Sequence, residues 1–425
     1  MASTLVEKII ARASGLSSVA PGDIVTCKVD LAMFHDSSGP RRVGPRMREL
    51  GASVWDPSKV VVVTDHYTPA VDLESAAIQK LTREWVKENK VGAFYDQQGI
   101  CHIVLAEGGH LKPGMFCAGG DSHSTTGGAF GCYMAGFGAI EMTGVMVTGE
   151  IWTRVPETVR VDWTGRLPKG VVAKDMMLFL CGALGVQNAF KVVEYGGEAV
   201  EALPMQERLV LTNMAAELGA ETGLIAPDAV TLAAIRQAGG EVDDEAVRIW
   251  RSDPDAAFEA VHQFDASALE PQVALPNSPA NAGPVAAAEA RRIDQAYIGA
   301  CVGAKLQDLH MAARVLDGRK VAAGVRLMIA PASAATMRKA AADGTLATLT
   351  EAGAILLPTG CGACAGYGAG VLADGEVCIS STNRNFKGRM GHMTSEVYLA
   401  SPYTVAASAI EGRVCDPRPY LTDAA

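Results

Sequence analysis

Two cysteines three apart, Cys361 and Cys364, lie in the glycine-rich turn Pro358-Thr359-Gly360-Cys361-Gly362-Ala363-Cys364-Ala365-Gly366, directly after the apolar run Ala354-Ile355-Leu356-Leu357. A third, Cys301, follows the apolar run Ala296-Tyr297-Ile298, sixty residues upstream. Three thiolates reaching one point would hold a metal and leave it one ligand short, and an open coordination position is what metal catalysis requires. The pair by itself fits half a zinc site, a redox disulfide or a cluster. A thioredoxin-type pair opens a helix and lacks flanking glycines such as Gly360, Gly362 and Gly366. A structural zinc site needs a fourth Cys or His at short spacing, and none is near. Cys101, Cys117, Cys132, Cys181, Cys378 and Cys415 read as small core residues.

Of eight histidines, His35, His66, His102 and His123 fall within the first 125 residues, and three of them have an aspartate within two positions: His35-Asp36, Asp65-His66 and Asp121-Ser122-His123. A carboxylate beside an imidazole sets its tautomer and raises its basicity, which suits acid–base work. His110, His262, His310 and His392 lack such context and are expected in surface or core roles. Arg384 and Arg389, in Asn383-Arg384-Asn385-Phe386-Lys387-Gly388-Arg389, read either as a solvated loop or as a fork for two carboxylates. The Gly136-x-Gly138 spacing is a weak nucleotide signal, and close packing explains it better.

These groups share a position. Val60-Val61-Val62-Val63 is a buried-strand pattern ending at Thr64-Asp65-His66, and Met115-Phe116-Cys117-Ala118 ends at Gly119-Gly120-Asp121. Asp23 to Leu31 reads as a strand leading to His35. Residues 5–13 and Leu73 to Val86 read as helices, the latter with Leu73, Ala77, Leu81 and Trp85 on one stripe and Lys80 spaced to meet Glu84. Ile103-Val104-Leu105 continues the apolar pattern after His102. Residues 170–265 alternate helix and strand around Leu211 to Glu217, and 266–290, with four prolines, reads as a linker. Beyond it, strands at 296–300, 325–330, 354–357 and 377–380 alternate with helices at 305–317 and 333–342, and a last helix covers Tyr403 to Ile410. Parallel sheets bind ligands outside the carboxyl ends of their strands, so the chemistry-bearing residues are expected at functional edges of one cleft.

A chain of 425 residues, 49% apolar and 20% charged, suits two or three packed domains and excludes a disordered chain. The formal charge of −10 sets the overall field against nucleic acid and anionic membranes, so an anionic substrate needs local arginines. The cysteines show no disulfide framework and the N-terminus no secretory apolar region, which reads as a reducing, cytoplasmic protein. The least polar stretch, Gly127 to Ile140, is too short to span a bilayer.

Taken in order, Gly22-Asp23-Ile24-Val25, Asp65-His66, Gly99-Ile100-Cys101-His102, Asp121-Ser122-His123-Ser124, Asn213-Met214-Ala215-Ala216-Glu217, Cys361-Gly362-Ala363-Cys364 and Asn383 to Arg389 resemble the aconitase superfamily, more closely its isopropylmalate dehydratase-type large subunits. The resemblance runs nearly end to end. It implies three α/β/α domains with parallel-type sheets around a central cleft, at 1–155, 156–285 and 286–425, the last binding the cluster. It implies one [4Fe–4S] cluster on Cys301, Cys361 and Cys364, with the fourth iron free of protein thiolate and acting as a Lewis acid. Asp65, His66, His102, Asp121, His123 and Glu217 are implied as the acid–base set, and His35, Ser122, Asn213, Asn383, Arg384 and Arg389 as substrate-binding residues. The fourth, swivelling domain of full-length aconitases, which supplies a serine base, has no counterpart before the end of this sequence, so a separate small subunit is expected. The implied reaction is reversible dehydration of a small 2-hydroxy di- or tricarboxylate, 3-isopropylmalate by default, with homoaconitate, 2-methylmalate (citraconate), 2,3-dimethylmalate and maleate as alternatives. A non-catalytic RNA-binding relative and a zinc enzyme on the same cysteines are the rivals. The sequence departs from the family at Ala300-Cys301-Val302-Gly303, where Ser-Cys-Thr-Asn is usual, at Ala363, where proline is usual, and at Asp36, where glutamate is common.

Overall fold

The computed structural model describes residues 2–288 and 290–421. Among the described residues, three large sheets and one two-stranded antiparallel pair carry the chain. The first has five parallel strands in the spatial order Ala93–Asp96, Val60–Thr64, Leu31–His35, Phe116–Gly119, Tyr133–Gly136. The second has four parallel strands, ordered Thr222–Ile225, Lys191–Gly196, Glu157–Thr164, Ala260–Asp265. The third has seven, ordered Ala282–Pro284, Gln272–Ala274, Glu396–Ala400, Val377–Ser380, Gln295–Ile298, Arg326–Ile329, Ile355–Leu356; the first two are antiparallel additions to a parallel core.

The β-branched run at 60–63 is buried on both faces, as its lack of alternation requires. Val61 and Val63 join a core that runs continuously through all three sheets, whereas Val60 and Val62 pack with Phe34, Phe116, Tyr133 and the N-terminal helix Leu5–Ser14. That helix is fixed by a capping box, Thr4 accepting from the Glu7 amide and Glu7 from the Thr4 amide, and by Gly15 in the left-handed region.

Strand order locates the cleft. In the first sheet the order reverses between Leu31–His35 and Phe116–Gly119, and in the third between Gln295–Ile298 and Val377–Ser380. Such switch points open a crevice at the carboxyl ends of the strands. His35 ends and Asp121 follows the strands of the first pair, and Cys301 and Asn383 follow those of the second.

Several expectations need correction. Asp23 to Leu31 is not one strand: Ile24–Lys28 pairs antiparallel with Glu150–Arg154, and a new strand starts at Leu31. Ile103-Val104-Leu105 lies in the helix Cys101–Glu107, so His102 sits in a helical first turn. The segment read as a linker supplies Gln272–Ala274 and Ala282–Pro284 to the third sheet, whose strands therefore begin ahead of residue 286. In Leu73–Glu88 the buried face is Ile78, Thr82, Trp85 and Val86, while Leu73 is 91% exposed. Thr82 joins that face because its hydroxyl donates to the Ile78 carbonyl (2.9 Å). The Lys80–Glu84 pair is present at 3.7 Å on the solvent side. Gly127 to Ile140 runs through the 3-10 helix Ser122–Phe130, the strand Tyr133–Gly136 and the start of the helix Ala139–Thr148.

Gly136 has a packing role: a Cβ there would lie 2.4 Å from the Asp121 carbonyl oxygen and 2.9 Å from Ser122 Cα. Gly136→Ala is expected to push the Asp121 loop out of place, lowering stability by about 1–3 kcal/mol and reducing turnover with it. Thermal unfolding beside steady-state kinetics checks this.

Candidate active site

Asp65 closes the strand Val60–Thr64 and is fully buried. Its Oδ1 accepts from His66 Nδ1 (2.8 Å), and its Oδ2 from the Cys101 amide at the first turn of Cys101–Glu107 (2.7 Å). Asp36, also buried, accepts from the amides of His66 and Tyr67 (3.0 and 3.1 Å). The His66 ring therefore has a fixed place and stacks on His35 with 3.9 Å between centroids. The two rings are driven apart in basicity. Burial and the neighbouring His66 charge push His35 down to about 4; for His66, burial is outweighed by Asp65, which raises it to about 9. A pair split this way holds one neutral and one protonated imidazole at neutral pH.

Asp121 is the hub of the second switch-point arm. Its Oδ1 accepts from His102 Nε2 and from the His123 amide, both at 2.8 Å, and its Oδ2 lies 3.6 Å from His35 Nε2. Despite burial, these imidazole contacts hold its carboxyl well below the usual range. His123 Nε2 meets Glu217 Oε1 at 2.9 Å, and Arg384 Nε donates to the same oxygen at 2.8 Å, while Arg384 Nη1 donates to Ser122 Oγ at 3.0 Å. Burial pushes Glu217 up, but the His123 and Arg384 charges win and its carboxyl lies below the ordinary value.

The thiols come from the third sheet. Cys301 and Cys364 are buried and Cys361 is half-buried. The Cys361 amide donates to the Asp65 carbonyl (2.9 Å), which docks the thiol turn on the histidine pair. Asn213 Nδ2 donates to Cys301 Sγ at 3.1 Å and Asn383 Nδ2 at 3.5 Å, and the two amides also bond each other. Burial pushes the Cys301 thiol up to about 12 and Cys361 well above its normal value, so neither ionises without a cation beside it. Among the described residues, the groups whose ligand atoms lie within 4.8 Å of one another are His35, Asp36, Asp65 and His66, and His102, Asp121 and His123; no such group contains a cysteine. One zinc ion holds its thiolates at about 2.3 Å and so within ~4 Å of each other. Donors of thiolate type, amide N–H groups aimed at sulfur and thiols too far apart for one ion fit a polynuclear cluster better than zinc.

The structure brings together His35, Asp65, His66, His102, Asp121, Ser122, His123, Asn213, Glu217, Cys301, Cys361, Cys364, Asn383 and Arg384. The two arginines differ in their surroundings. Arg384 is engaged by Glu217 and Ser122, whereas Arg389 lies toward Tyr367, on whose hydroxyl its charge acts, with its Nε buried and unpartnered among the described residues. Tyr367, His66 and Gly362 line a cavity of about 380 Å³ with Tyr67 and Leu357. His310 and His392, expected in surface or core roles, lie at the surface, in exposed pairs with Asp343 (2.8 Å) and Asp374 (3.5 Å).

The sequence reading marked Ala300 and Gly303 only as departures from the family, and it missed Lys174. Ala300, next to Cys301, has φ 68°, a left-handed conformation that costs a non-glycine residue about 1–2 kcal/mol and aims the thiol inward. Gly303 is where Ser381 closes in, since a Cβ would lie 2.1 Å from Ser381 Oγ. Lys174 is fully buried within reach of the site's charges. Its signal was a charged pair, Lys174-Asp175, inside the apolar stretch Val171 to Leu180.

Known proteins agree with this picture. The profile of the aconitase family (aconitate hydratase) matches residues 7–412. A 3-isopropylmalate dehydratase large subunit 1 of Methanopyrus kandleri is 48% identical over 99% of this chain and 100% of its own length. The methanogen homoaconitase large subunit of Methanocaldococcus jannaschii is 42% identical over 97% of this chain and 99% of its own. In the crystal structure of Thermococcus kodakaraensis aconitase X the fold is shared at a TM-score of 0.52, with 14% identity and 90% of each chain covered. On the extent of these matches, this chain belongs to the aconitase family.

Proposed function

We propose that this chain is the large, catalytic subunit of an iron–sulfur hydro-lyase that reversibly dehydrates a small 2-hydroxy di- or tricarboxylate, with 3-isopropylmalate as substrate. One observation carries the reading: three thiols meet a histidine–carboxylate network and a carboxylate-seeking arginine where two switch points converge. Cys301, Cys361 and Cys364 would hold one [4Fe–4S] cluster, which when bound supplies a Lewis acid at an iron without protein thiolate. Asn213 and Asn383 donate to sulfur and tune that position.

The acid–base work falls to this chain's side chains. His66, kept protonated by Asp65, is the acid nearest the thiol turn and delivers a proton to a departing hydroxyl group. His102, aimed by Asp121, and His123, paired with Glu217, keep a second proton within the site. Arg384 and Ser122 grip a carboxylate, leaving N–H groups of the guanidinium beyond those given to Glu217 and Ser122 for the substrate. Arg389, by the cavity lined by Tyr367, is a second anchor. We assign the base that takes the carbon-bound proton to a separate small subunit, a reading supported by the large-subunit names of the relatives. No helix among the described residues is long and apolar enough to cross a membrane; we place the enzyme in the cytoplasm.

A second substrate, homoaconitate, is favoured by relatives at 43% and 42% identity that bear homoaconitase names. The test is anaerobic co-purification with a candidate small subunit, followed by assays with 3-isopropylmalate, homoaconitate, citraconate and maleate. Turnover of isopropylmalate by the pair, and of the order of a hundredth or less by the chain alone, is expected. Full activity without a partner overturns the two-subunit reading, and hydration of none of the four overturns the function.

A further inference from the structure

The strand Leu31–His35 runs into the turn Asp36-Ser37-Ser38-Gly39, which folds back over the His35 ring at the switch point of the first sheet. Nδ1 of that ring lies 3.2 Å from the Ser37 amide nitrogen. Nε2 lies 3.1 Å from the Gly120 carbonyl oxygen, 3.0 Å from Ser38 Oγ and 3.6 Å from Asp121 Oδ2. Two of these partners have a single role: an amide N–H only donates, and a carbonyl oxygen only accepts. Nδ1 therefore accepts and carries no proton. Nε2 donates, as the carbonyl and the carboxylate beside it both require. Burial, and after it the charge of His66, keeps the ring neutral at neutral pH, so the proton on Nε2 is the only one it holds.

This tautomer decides what Ser38 can do. Ser38 Oγ accepts from a protonated Nε2, and that nitrogen has no lone pair left to take the serine proton. Ser38 is thus no base activated by histidine, and its own O–H is left over. Among the described residues that hydroxyl makes no second hydrogen bond. The side chain is half-buried, and a Cβ at Gly120 would lie 2.8 Å from its oxygen, so glycine there leaves it room. Ser122, on the far side of Asp121, is arranged in the same way: its Oγ accepts from Arg384 Nη1 (3.0 Å), which leaves its O–H free. Two hydroxyl donors therefore flank Asp121. The charge of Asp121 is already met by His102 at 2.8 Å and by His66 Nε2 at 4.0 Å, which lessens its repulsion of a second anion.

We propose that Ser38 is a substrate-binding residue: its hydroxyl, held through the oxygen by His35 Nε2–H, donates to a carboxylate oxygen of the substrate on the side of Asp121 away from Arg384. This rests on the proposed function in taking the substrate to carry more than one carboxylate, so that Arg384 and Ser122 grip one and Ser38 meets another. His35 is then the residue that orients this donor.

Two measurements test it. The first needs neither turnover nor a partner subunit. Nitrogen-15 spectra of the full chain with labelled histidine, the His35 signals assigned by their loss in His35→Gln, show which ring nitrogen is protonated. A protonated Nε2 and a bare Nδ1 are expected. The reverse overturns the proposal, because Ser38 then spends its O–H on the ring. The second is steady-state kinetics of Ser38→Ala with the partner subunit. KM is expected to rise about tenfold or more while kcat stays within about threefold, as loss of a contact made equally in ground and transition states requires. An unmoved KM overturns the proposal, and a fall in kcat alone is what a serine that only props His35 would give. Should Ser38→Ala fail to fold, the nitrogen spectra still decide. Absence of turnover in the unsubstituted pair would remove the proposed function without altering those spectra, so the two failures are told apart.

Discussion

Cys364→Ala is expected to yield a folded chain without a complete cluster and with turnover down by at least about a thousandfold. Cys364 is buried in the turn Gly362–Ala365, and replacing its sulfur by hydrogen removes little packed volume, so the stability cost should stay near 1–2 kcal/mol. The functional loss comes from ligand count: three thiolates are the least that fix the position of a cluster with one open corner, and the two left cannot. Cys378→Ala is the control. That thiol is as deeply buried, in the strand Val377–Ser380 of the same sheet, where it meets the Ile379 carbonyl and the Gln295 side chain. It should lose similar stability and keep its iron and its activity. Iron content, visible absorbance and thermal unfolding of both variants separate the two roles.

Asp121→Asn is the second large effect. The change is isosteric, so the turn after Phe116–Gly119 should persist, yet the two hydrogen bonds at 2.8 Å to Oδ1 both lose charge assistance. His102 loses the group that orders its tautomer, and an amide can present N–H where an acceptor is needed. A fall in kcat of about 10²–10⁴ is expected, with KM changed much less because Arg384 and Ser122 still hold a carboxylate. The sign of the pH effect follows from the same contact. Burial lowers His123, while Glu217 and Asp121 raise it above its ordinary value. Taking the Asp121 charge away lowers it, so any alkaline limb that depends on protonated His123 should move to lower pH. Steady-state kinetics across pH, with a thermal melt to show the fold is kept, tests both parts.

The strand-end rule made much of this site readable before any coordinates. Apolar β-branched runs such as Val60 to Val63 identify parallel strands, and whatever polar residue follows them must lie at the carboxyl edge. Asp65, Asp121, Cys301 and Asn383 were found that way. What stayed hidden depends on neighbours through space. Leu73 looked like the start of a buried stripe, but the sheet face selects Ile78, Thr82 and Trp85, a choice that helical period alone does not make. Prolines at 276, 279 and 284 read as a linker because antiparallel edge strands tolerate them, and Pro284 indeed ends the outermost strand of the third sheet. Arg384 and Arg389 looked equivalent in sequence; Glu217, 167 residues away from Arg384, separates their roles. Backbone strain at Ala300 leaves no mark in composition at all.

The central claim is that Cys301, Cys361 and Cys364 carry an iron–sulfur cluster with one open corner beside these acids and bases. Iron, acid-labile sulfide and zinc per chain, measured after anaerobic purification, test it most directly. About four irons and as much sulfide per chain, with little zinc, is the predicted result. One zinc per chain without sulfide would contradict it.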